Sequence, residues 1–557
     1  MRILKSRGMR MATAAVAATL VVTACGSDRD KGDEGKDGGK DTFVFAGAGD
    51  PTSLDPALAS DGETFRVTRQ VFEALIEHES GGSKMVGGLA ETWSSNDDGT
   101  VWTFNLRKDV KFHDGETFNA DAVCANYDHW FNWKGSYQSS AVSTYWQYIM
   151  GGFAKNEDKE TPKANYKSCT AKDENTAVIE VNESSAQLPG GFSLQALAIH
   201  SPKSIKEYEK QAVKEAGDAI TYPKYSQEVG LLAGTGPYKY KKWNKGNKEV
   251  ALEAFDGYWG DKAKVKNLVF RTIDTEQGRR QALEGGDIDG YDLVAPADVK
   301  ALEEKGFNVP TRDVFNLLYL GYTQEKNKAL EKPEVRQAIA HAMNRENIVN
   351  TQLPEGGKVA TQFMPDTIAG HTDKVKKYEF DTAKAKSLLK DAGESGLKLD
   401  FCYPTEVTRP YMPNPQNIFE LLKADLEAAG VKVTPKPMKW SPDYLDTVEN
   451  GGCAVYLLGW TGDFNDGYNF IGTWFSKYDS QWGFKNDKIF DAVNAGSKVG
   501  KAEDRVAAYE AANVAIMDFL PGVPISSSPP AIAFGKDVVP PNVSPLTQEN
   551  FSEVSFK

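Results

Sequence analysis

The fold is decided by one segment of the chain, LKLDFCYPTEVTRPYMPNPQNIFELLKADLEAAGVKVTPKPMKWSPDYLDTVENGGCAVYLLG, residues 397–459. Its two ends, LKLDFCY at 397–403 and CAVYLLG at 453–459, have the short apolar runs of buried strands. Between them, Asn414-Pro415 predicts the start of a helix that ends at Gly430. The segment alternates strand, helix, strand, helix, strand, which is typical of an α/β lobe.

The last of these strands continues into WTGDFND, residues 460–466, where an acid follows a flexible glycine. Four explanations are open: a surface turn, a calcium loop, a catalytic acid, or a binding site for a charged group of a ligand. The calcium loop fails on spacing, because counting from Asp463 puts Gly467, Tyr468 and Trp474 at positions 5, 6 and 12. An EF-hand needs an oxygen ligand, a glycine and a glutamate there.

The length and the N-terminus indicate an exported protein of several lobes. A chain of 557 residues is too long for one ordinary core. Residues 1–24 have the basic start and short apolar run of a signal peptide. They end at Val22-Thr23-Ala24-Cys25, which resembles a bacterial lipobox, so we expect Cys25 to be lipid-modified; an ordinary signal peptide is the alternative. Residues 25–41 are rich in glycine and charge and predict a flexible tether.

The four remaining cysteines fit an oxidising compartment. Three pairings are possible, and four buried thiols are the alternative. Cys402 and Cys453 lie on strands separated by one αβ unit, and neighbouring strands can bring them within bridging distance. We therefore predict the disulfides Cys402–Cys453 and Cys124–Cys169.

Composition and motifs argue against several function classes. A net charge of −13 and a pI near 5.2 argue against a nucleic-acid partner. The chain contains no HExxH, GxSxG or GxxxxGK[ST] motif. The SxxK match at Ser387–Lys390 lies in an amphipathic helix and is interpreted as coincidence, and Asp287 and Asp289 are expected in a solvated turn. We predict that the protein is not an enzyme and that it uses no metal and no cofactor.

Several stretches, in order along the chain, resemble the solute-binding proteins of peptide and nickel ABC importers. Within that family, RPYMPNPQ and GWTGDFNDGYNF resemble the ligand-contacting segments of the dipeptide-binding branch. The stretches are GLAETW (88–93), DDGTVWTFNLRKDVKFHDGETFNADAV (97–123), GTGPYKY (234–240), Tyr258-Trp259, LEGGDID (283–289), PEVRQAIAHAMNRENIV (333–349), RPYMPNPQ (409–416) and GWTGDFNDGYNF (459–470).

The resemblance implies an α/β, two-lobed periplasmic-binding-protein-like fold of the type II, three-subdomain variety, with the ligand cleft between the lobes. The first lobe would comprise residues 42–312 and 522–557, with an extra subdomain at 88–200. The second lobe would comprise residues 313–521. The hinge is expected near 315–322 and 521–528.

The resemblance also implies the ligand contacts. Arg409 would hold the carboxylate of the ligand and Asp463 its α-ammonium, while Asp466 is left as a turn or rim residue. Trp440, Trp460 and Phe464 are candidate walls for the ligand side chains. Gly49, in GAGDPTSLDP at 47–56, lies where the family's first lobe offers backbone to the ligand.

The expected function is that of a substrate-binding lipoprotein of an ABC importer. It would be a monomer on the outer face of the bacterial cell membrane, attached through its lipid only. It would capture di- or short oligopeptides and deliver them to a permease with its ATPase subunits. The alternatives are a non-peptide ligand on the same fold, such as a nickel chelate, an oligosaccharide or haem, and an exported hydrolase.

Overall fold

The computed structural model describes residues 40–159, 161–216, 219–497 and 502–557. The predicted signal peptide, the lipidation site at Cys25 and nearly all of the tether therefore lie outside the described residues. None of the helices in the described ranges is long and apolar enough to cross a membrane.

The first lobe is built on a six-stranded mixed sheet. Its three central strands are parallel, and antiparallel strands flank them on both sides. In sheet order the strands are Tyr238–Asn244, Glu249–Ala254, Asn267–Thr272, Thr42–Gly47, Gly290–Val294 and Ala531–Phe534.

A four-stranded antiparallel sheet extends the first lobe and falls within the predicted extra subdomain at 88–200. The helix Ala120–Phe131 packs on it, and the disulfide Cys124–Cys169 joins this helix to the sheet, as predicted. In sheet order the strands are Ala90–Ser95, Val101–Leu106, Thr176–Val181 and Tyr166–Asp173.

The second lobe is built on another six-stranded mixed sheet with a separate hydrophobic core. The predicted α/β segment supplies half of its strands, and the disulfide Cys402–Cys453 links two of its neighbouring segments, as predicted. In sheet order the strands are Lys358–Val359, Gly522–Ser527, Asn316–Tyr322, Val455–Thr461, Lys398–Thr405 and Lys432–Lys439.

Three two-stranded ribbons and the helices complete the described structure. The ribbons pair Ile76–His78 with Met85–Gly87, Lys214–Ala216 with Ala219–Thr221, and Val538–Val539 with Ser555–Phe556. The α-helices are Gly62–Thr68, Ala120–Phe131, Thr144–Met150, Leu188–Gly191, Pro202–Tyr208, Glu276–Gly285, Pro296–Glu304, Pro333–Ala342, Arg345–Gln352, Thr382–Asp391, Pro415–Ala428, Leu445–Glu449, Tyr468–Phe475, Asp487–Ser497 and Ala502–Phe519.

Local signals place the ends of the predicted helices well. The Asn414 side chain accepts the backbone N–H of Asn417 and begins the helix Pro415–Ala428. Gly430 follows the helix at φ 95°, a left-handed conformation that favours glycine. Leu389, inside the SxxK match, is buried in the second core, as interpreted from the sequence.

Asp289 lies in a different environment from the one expected from the sequence. Asp289 is not in a solvated turn: it is buried, accepts the backbone N–H of Val44 at 2.9 Å and pairs with the Lys40 ammonium. The carboxylate ties the chain entering the first strand to the start of Gly290–Val294. Its role is therefore structural.

The lobe boundaries also differ from those expected. Asn316–Tyr322, expected in the second lobe and at the hinge, is a fully buried strand of the second sheet. Gly522–Ser527, expected in the first lobe and at the hinge, pairs beside it. Both segments are continuous apolar or small-residue runs, which suits a strand buried on both faces.

The chain therefore passes between the lobes on two adjacent crossovers. The Arg312 backbone N–H donates to the Pro530 carbonyl at 3.0 Å. The Asn316 side chain donates to the Ser528 carbonyl at 2.7 Å and accepts the Ser528 N–H at 3.0 Å. These bonds hold the two crossovers side by side at residues 312–316 and 528–530.

Four buried charges, which we call the hinge network, lie at the base of these crossovers: Arg66, Asp292, Arg312 and Glu549. Arg312 is fully buried and contacts Asp292 at 2.6 Å and Glu549 at 2.7 Å, while Arg66 also pairs with Asp292. Burial alone would raise the pKa of Asp292, but the charges of Arg312 and Arg66 hold it well below its usual value. Every charge of the network therefore has an opposite partner.

Candidate functional site

Asp463 lies where a rigid strand of the second lobe ends. The strand Val455–Thr461 is buried along most of its length and pairs with strands on both sides. At Gly462, a Cβ atom would lie 2.3 Å from the ring of Phe315, so a side chain would not fit. The chain turns at this glycine, and the next side chain, Asp463, points toward the first lobe.

Asn469 holds this turn from the start of the helix Tyr468–Phe475. Its Oδ1 accepts the backbone N–H of Asp463 at 2.8 Å and the indole N–H of Trp460 at 3.3 Å. Its Nδ2 lies 3.5 Å from the Asp463 carboxylate. Sequence reasoning missed this residue; the signal was an asparagine six positions after the acid, in the first turn of a helix.

The first lobe reaches Asp463 through Tyr145, which is on the helix Thr144–Met150. The Tyr145 hydroxyl donates to Asp463 Oδ1 at 2.9 Å. Burial raises the pKa of Asp463 to about 6, while the hydrogen bonds from Tyr145 and Asn469 and the charge of Arg69 lower it. Across the described ranges, no cation lies within 4.0 Å of the carboxylate. Asp463 is therefore a half-buried acid whose carboxylate has no cationic partner among the described residues.

Arg409 follows the strand Lys398–Thr405, which runs parallel to the strand that carries Asp463. Because the carboxyl ends of neighbouring parallel strands meet at one sheet edge, the two side chains lie at the same edge. The Tyr411 ring covers this edge, since a Cβ atom at Gly459 would lie 2.4 Å from it.

The Arg409 guanidinium is held by stacking and not by an ion pair. Its Cζ lies 4.4 Å from the centre of the Trp440 ring, and a backbone bridge to Met412 shapes the loop. No carboxylate lies within 4.0 Å of it in the part of the chain that the structure describes. Stacking on an indole leaves the in-plane N–H groups of the fork available to an anion.

The other predicted ligand contacts are divided between the two lobes. Trp440 and Trp460 lie beside Arg409 and Asp463 respectively, and both are partly exposed. Gly49 lies in the first lobe, where an added Cβ would approach the Glu63 side chain at 3.3 Å. Arg409 with Trp440, and Asp463 with Trp460, thus lie at one edge of the second sheet.

Phe464 differs from the expected ligand wall. It is only 2% exposed and packs within the hydrophobic core of the first lobe. A Cβ atom on Gly190 would lie 2.3 Å from its ring, so the socket depends on that glycine. The ring crosses the lobe interface and contacts protein, because its apolar surface is buried best in the opposite core.

Asp466, the second acid of the motif, is structural. Its carboxylate contacts Arg505 at 2.6 Å and accepts the Tyr509 hydroxyl at 2.7 Å. It also accepts the backbone N–H of Tyr468 at 2.8 Å and begins the following helix. The two acids three residues apart therefore differ in kind: Asp466 is paired within its lobe, whereas Asp463 faces the other lobe.

Three more polar contacts join the lobes around Asp463. The Tyr148 hydroxyl lies 3.2 Å from the Thr473 hydroxyl, and Asn465 donates to Ser83 at 2.9 Å. The backbone N–H of Ala186 donates to the Ser497 carbonyl at 2.9 Å. The structure thus has the two lobes in contact over the candidate site.

Comparison with known proteins identifies the family to which this chain belongs. The sequence model of the bacterial extracellular solute-binding proteins, family 5, middle region, matches residues 84–482. The dipeptide-binding protein of Escherichia coli K12 is 29% identical over 531 residues, covering 93% of this chain and 95% of that protein. The haem-binding protein A of Haemophilus influenzae is also 29% identical, over 538 residues, covering 92% of each chain.

A solved structure agrees with these matches. The periplasmic binding protein DppA of Helicobacter pylori, determined in complex with the peptide STSA, superimposes with a TM-score of 0.76 at 25% identity. The match covers 92% of this chain and 98% of that one. The fold is thus the two-lobed periplasmic-binding-protein fold, with its ligand cleft between the lobes.

Proposed function

This chain belongs to the bacterial extracellular solute-binding proteins of family 5, and we propose that it binds di- or short oligopeptides by their charged ends. The observation that carries this proposal is the pair of opposite charges, Arg409 and Asp463, at one sheet edge of the cleft. Neither has an ion partner within 4.0 Å among the residues that the structure describes.

The chemistry of a short peptide fits such a pair. All peptides share an ammonium at one end and a carboxylate at the other, whereas their side chains vary. A general receptor must therefore bind the two ends. An ionised aspartate accepts from the ammonium, and an arginine fork matches the carboxylate. The proposed roles are thus Asp463 for the ammonium and Arg409 for the carboxylate.

The cleft also offers surfaces for side chains. Trp440 and Trp460 are partly exposed beside the two charges and are the proposed walls, and Gly49 is the proposed backbone contact from the first lobe. Peptide binding would favour the closed arrangement of the lobes, because only there can both lobes contact the ligand.

The wider role follows from the family and the N-terminus. We propose an exported receptor, held at the outer face of the cell membrane by a lipid on Cys25, that passes its ligand to an ABC permease with ATPase subunits. It acts as a monomer and returns its ligand chemically intact. The relatives named for dipeptide binding and the DppA complex with STSA support a peptide as the ligand.

Isothermal titration calorimetry of dipeptides against Arg409→Ala and Asp463→Ala tests the proposed clamp. Removing one partner of a buried charge pair costs about 2–5 kcal/mol, a loss of about thirtyfold to several thousandfold in affinity. Matched controls are Arg280→Ala, whose guanidinium forms surface ion pairs, and Asp373→Ala, whose side chain is 93% exposed. Peptide affinity that survived both cleft substitutions would overturn the clamp.

Haem is the second candidate ligand, because the haem-binding relative is as similar to this chain as the dipeptide-binding one. A thermal-shift panel of dipeptides, longer peptides, sugars, a nickel chelate and haem separates the candidates. A ligand at a hundred times its dissociation constant adds about 2.7 kcal/mol to the unfolding free energy. Stabilisation by haem, sugars or the chelate without stabilisation by peptides would reject the peptide assignment. Mass spectrometry of the released ligand would reveal any hydrolysis.

A further inference from the structure

The cleft contains a second cation, Arg69, that the proposed clamp does not use. Arg69 directly follows the helix Gly62–Thr68 of the first lobe, and its Nη1 lies 3.5 Å from the Phe65 carbonyl. The Phe65 ring lies 5.7 Å from the ring of Tyr145, whose hydroxyl donates to Asp463. Arg69 therefore lies beside the contact by which the first lobe reaches Asp463.

Arg69 differs from its neighbour Arg66 in its partners. Arg66 belongs to the hinge network and pairs with Asp292. In the described part of the chain, no carboxylate lies within 4.0 Å of the Arg69 guanidinium. Burial lowers the pKa of Arg69 to about 10, and the charges of Glu77, Glu549 and Asp463 oppose that shift. The guanidinium is thus protonated at neutral pH, and among the described residues one carbonyl, that of Phe65, accepts from its five N–H donors.

The position of Arg69 near Asp463 limits which part of a ligand it can contact. If the ligand ammonium lies on Asp463, as proposed above, the nearest other groups are those of the same ligand residue. The Arg69 side chain is half-buried, and a ligand that fills the cleft would take it further out of water. An arginine that loses water without gaining an anion is costly, whereas its fork pairs strongly with a carboxylate. A neutral side chain at this point would leave Arg69 unpaired in the closed cleft.

We propose that Arg69 binds a carboxylate carried by the same ligand residue whose ammonium lies on Asp463. Two ligands supply this chemistry: a peptide whose first residue is acidic, and a free amino acid through its α-carboxylate. In the first case the protein prefers peptides that begin with aspartate or glutamate. In the second it binds single amino acids as well as peptides.

Calorimetry on the full chain with ligands differing in one charge distinguishes these sources. The peptide pair is Glu-Ala against Gln-Ala, and the amino-acid pair is leucine against leucinamide. One charge-assisted interaction corresponds to about 10- to 100-fold in affinity. A preference of that size in the first pair identifies the acidic side chain, and in the second pair the α-carboxylate.

The variant Arg69→Gln should remove the preference, measured as the ratio of the two affinities within a pair; this ratio cancels any effect of the variant on the ammonium site that both ligands share. Arg69→Lys should keep part of the preference, because the charge stays while the fork is lost. Arg280→Gln is the matched control and should keep all of it.

Three results would overturn the inference. The first is equal wild-type affinity within both pairs, which needs no variant and so decides the matter even if Arg69→Gln does not fold. The second is a preference that survives Arg69→Gln. The third is a loss of affinity in Arg69→Gln that is equal for charged and uncharged ligands. Arg69 would then support the fold of the cleft or contact the ligand backbone, and it would not bind the extra carboxylate. Binding of no peptide and no amino acid would reject the proposed function itself.

Discussion

The hinge network and the cleft contain the same kinds of charged side chain in different environments: the hinge charges are buried, whereas those of the cleft are half-buried. At the hinge, Arg312 contacts two carboxylates within 2.7 Å, and each carboxylate is shared with Arg66. In the cleft, no ion pair within 4.0 Å involves Asp463, Arg409 or Arg69 in the described ranges. A buried charge is tolerated only with a partner, so the hinge has its partners within the chain, whereas the half-buried charges of the cleft remain open to water and to the proposed ligand. Whether a charged side chain is paired within the chain, and not its residue type, distinguishes the charges that stabilise the fold from those that we propose bind the ligand.

Breaking the hinge network should have the largest effect on stability. Arg312→Ala leaves Asp292 and Glu549 buried beside one remaining arginine, so we expect a loss of about 3–5 kcal/mol in the free energy of unfolding. Urea denaturation measures it. Lys423→Ala, which removes an exposed pair with Glu427 at 2.9 Å, is the control and should change the free energy by at most about 1 kcal/mol. A small effect of Arg312→Ala would remove the contrast between the two regions.

Replacing Asp463 should raise the free energy of unfolding, whereas Arg312→Ala should lower it. Burial raises the pKa of Asp463 to about 6, above its value in the unfolded chain. The folded state therefore favours the protonated form, and the free energy of unfolding of the ligand-free protein should fall as pH rises from about 4 to about 6. Asp463→Asn removes this penalty and should be more stable than wild type at pH 7, by an amount on the order of 1–2 kcal/mol.

Thermal denaturation at pH 5 and pH 7, without ligand, measures this difference. The gain of Asp463→Asn should shrink at pH 5, where the wild-type carboxyl is largely protonated. If the asparagine variant were the less stable protein at pH 7, the acid would have a partner within the protein, and the contrast with the hinge would be wrong.

The affinity for a peptide should depend on pH through the same group. An ammonium binds the ionised carboxylate, so we expect the affinity to fall about tenfold between pH 7 and pH 5, as Asp463 with its pKa of about 6 becomes protonated. Calorimetry with one neutral dipeptide measures it. Asp463→Asn should bind weakly and with little dependence on pH, which separates Asp463 from Glu77, whose pKa burial raises to about 7. Wild-type affinity that did not change with pH would contradict the assignment.

Several parts of the molecule could be predicted because their signals are local. Asn414 and Gly430 bound one helix through a cap and a left-handed turn, which depend on a few neighbouring residues. The disulfide Cys402–Cys453 followed from the order of strands and helices. Asp463 stood out because an acid after an apolar strand and a glycine has few structural explanations.

Other features could not be predicted, because they depend on which segments meet. Tyr145 lies 318 positions from Asp463 along the chain, and Arg69 lies still farther away. The resemblance placed the strand Gly522–Ser527 in the first lobe, and its short run of valine, isoleucine and serine could not correct this, because such a run fits either sheet. Phe464 was expected at the ligand. Its burial in the first core could not be predicted, because it depends on Gly190 in another part of the chain.

The sequence by itself indicated the α/β class, the family resemblance and the acid at the strand end, and it favoured the two disulfides among the possible pairings. Each of these features depends on residue types and spacings within a few positions, or on motifs that follow one another along the whole chain. Only the tertiary structure decided which charges are paired. Asp463 and Asp466 are three residues apart and chemically identical, yet Asp466 meets Arg505 and Asp463 meets the hydroxyl of Tyr145. The partner of a charge is set by distance in space, and spacing along the chain does not contain that distance.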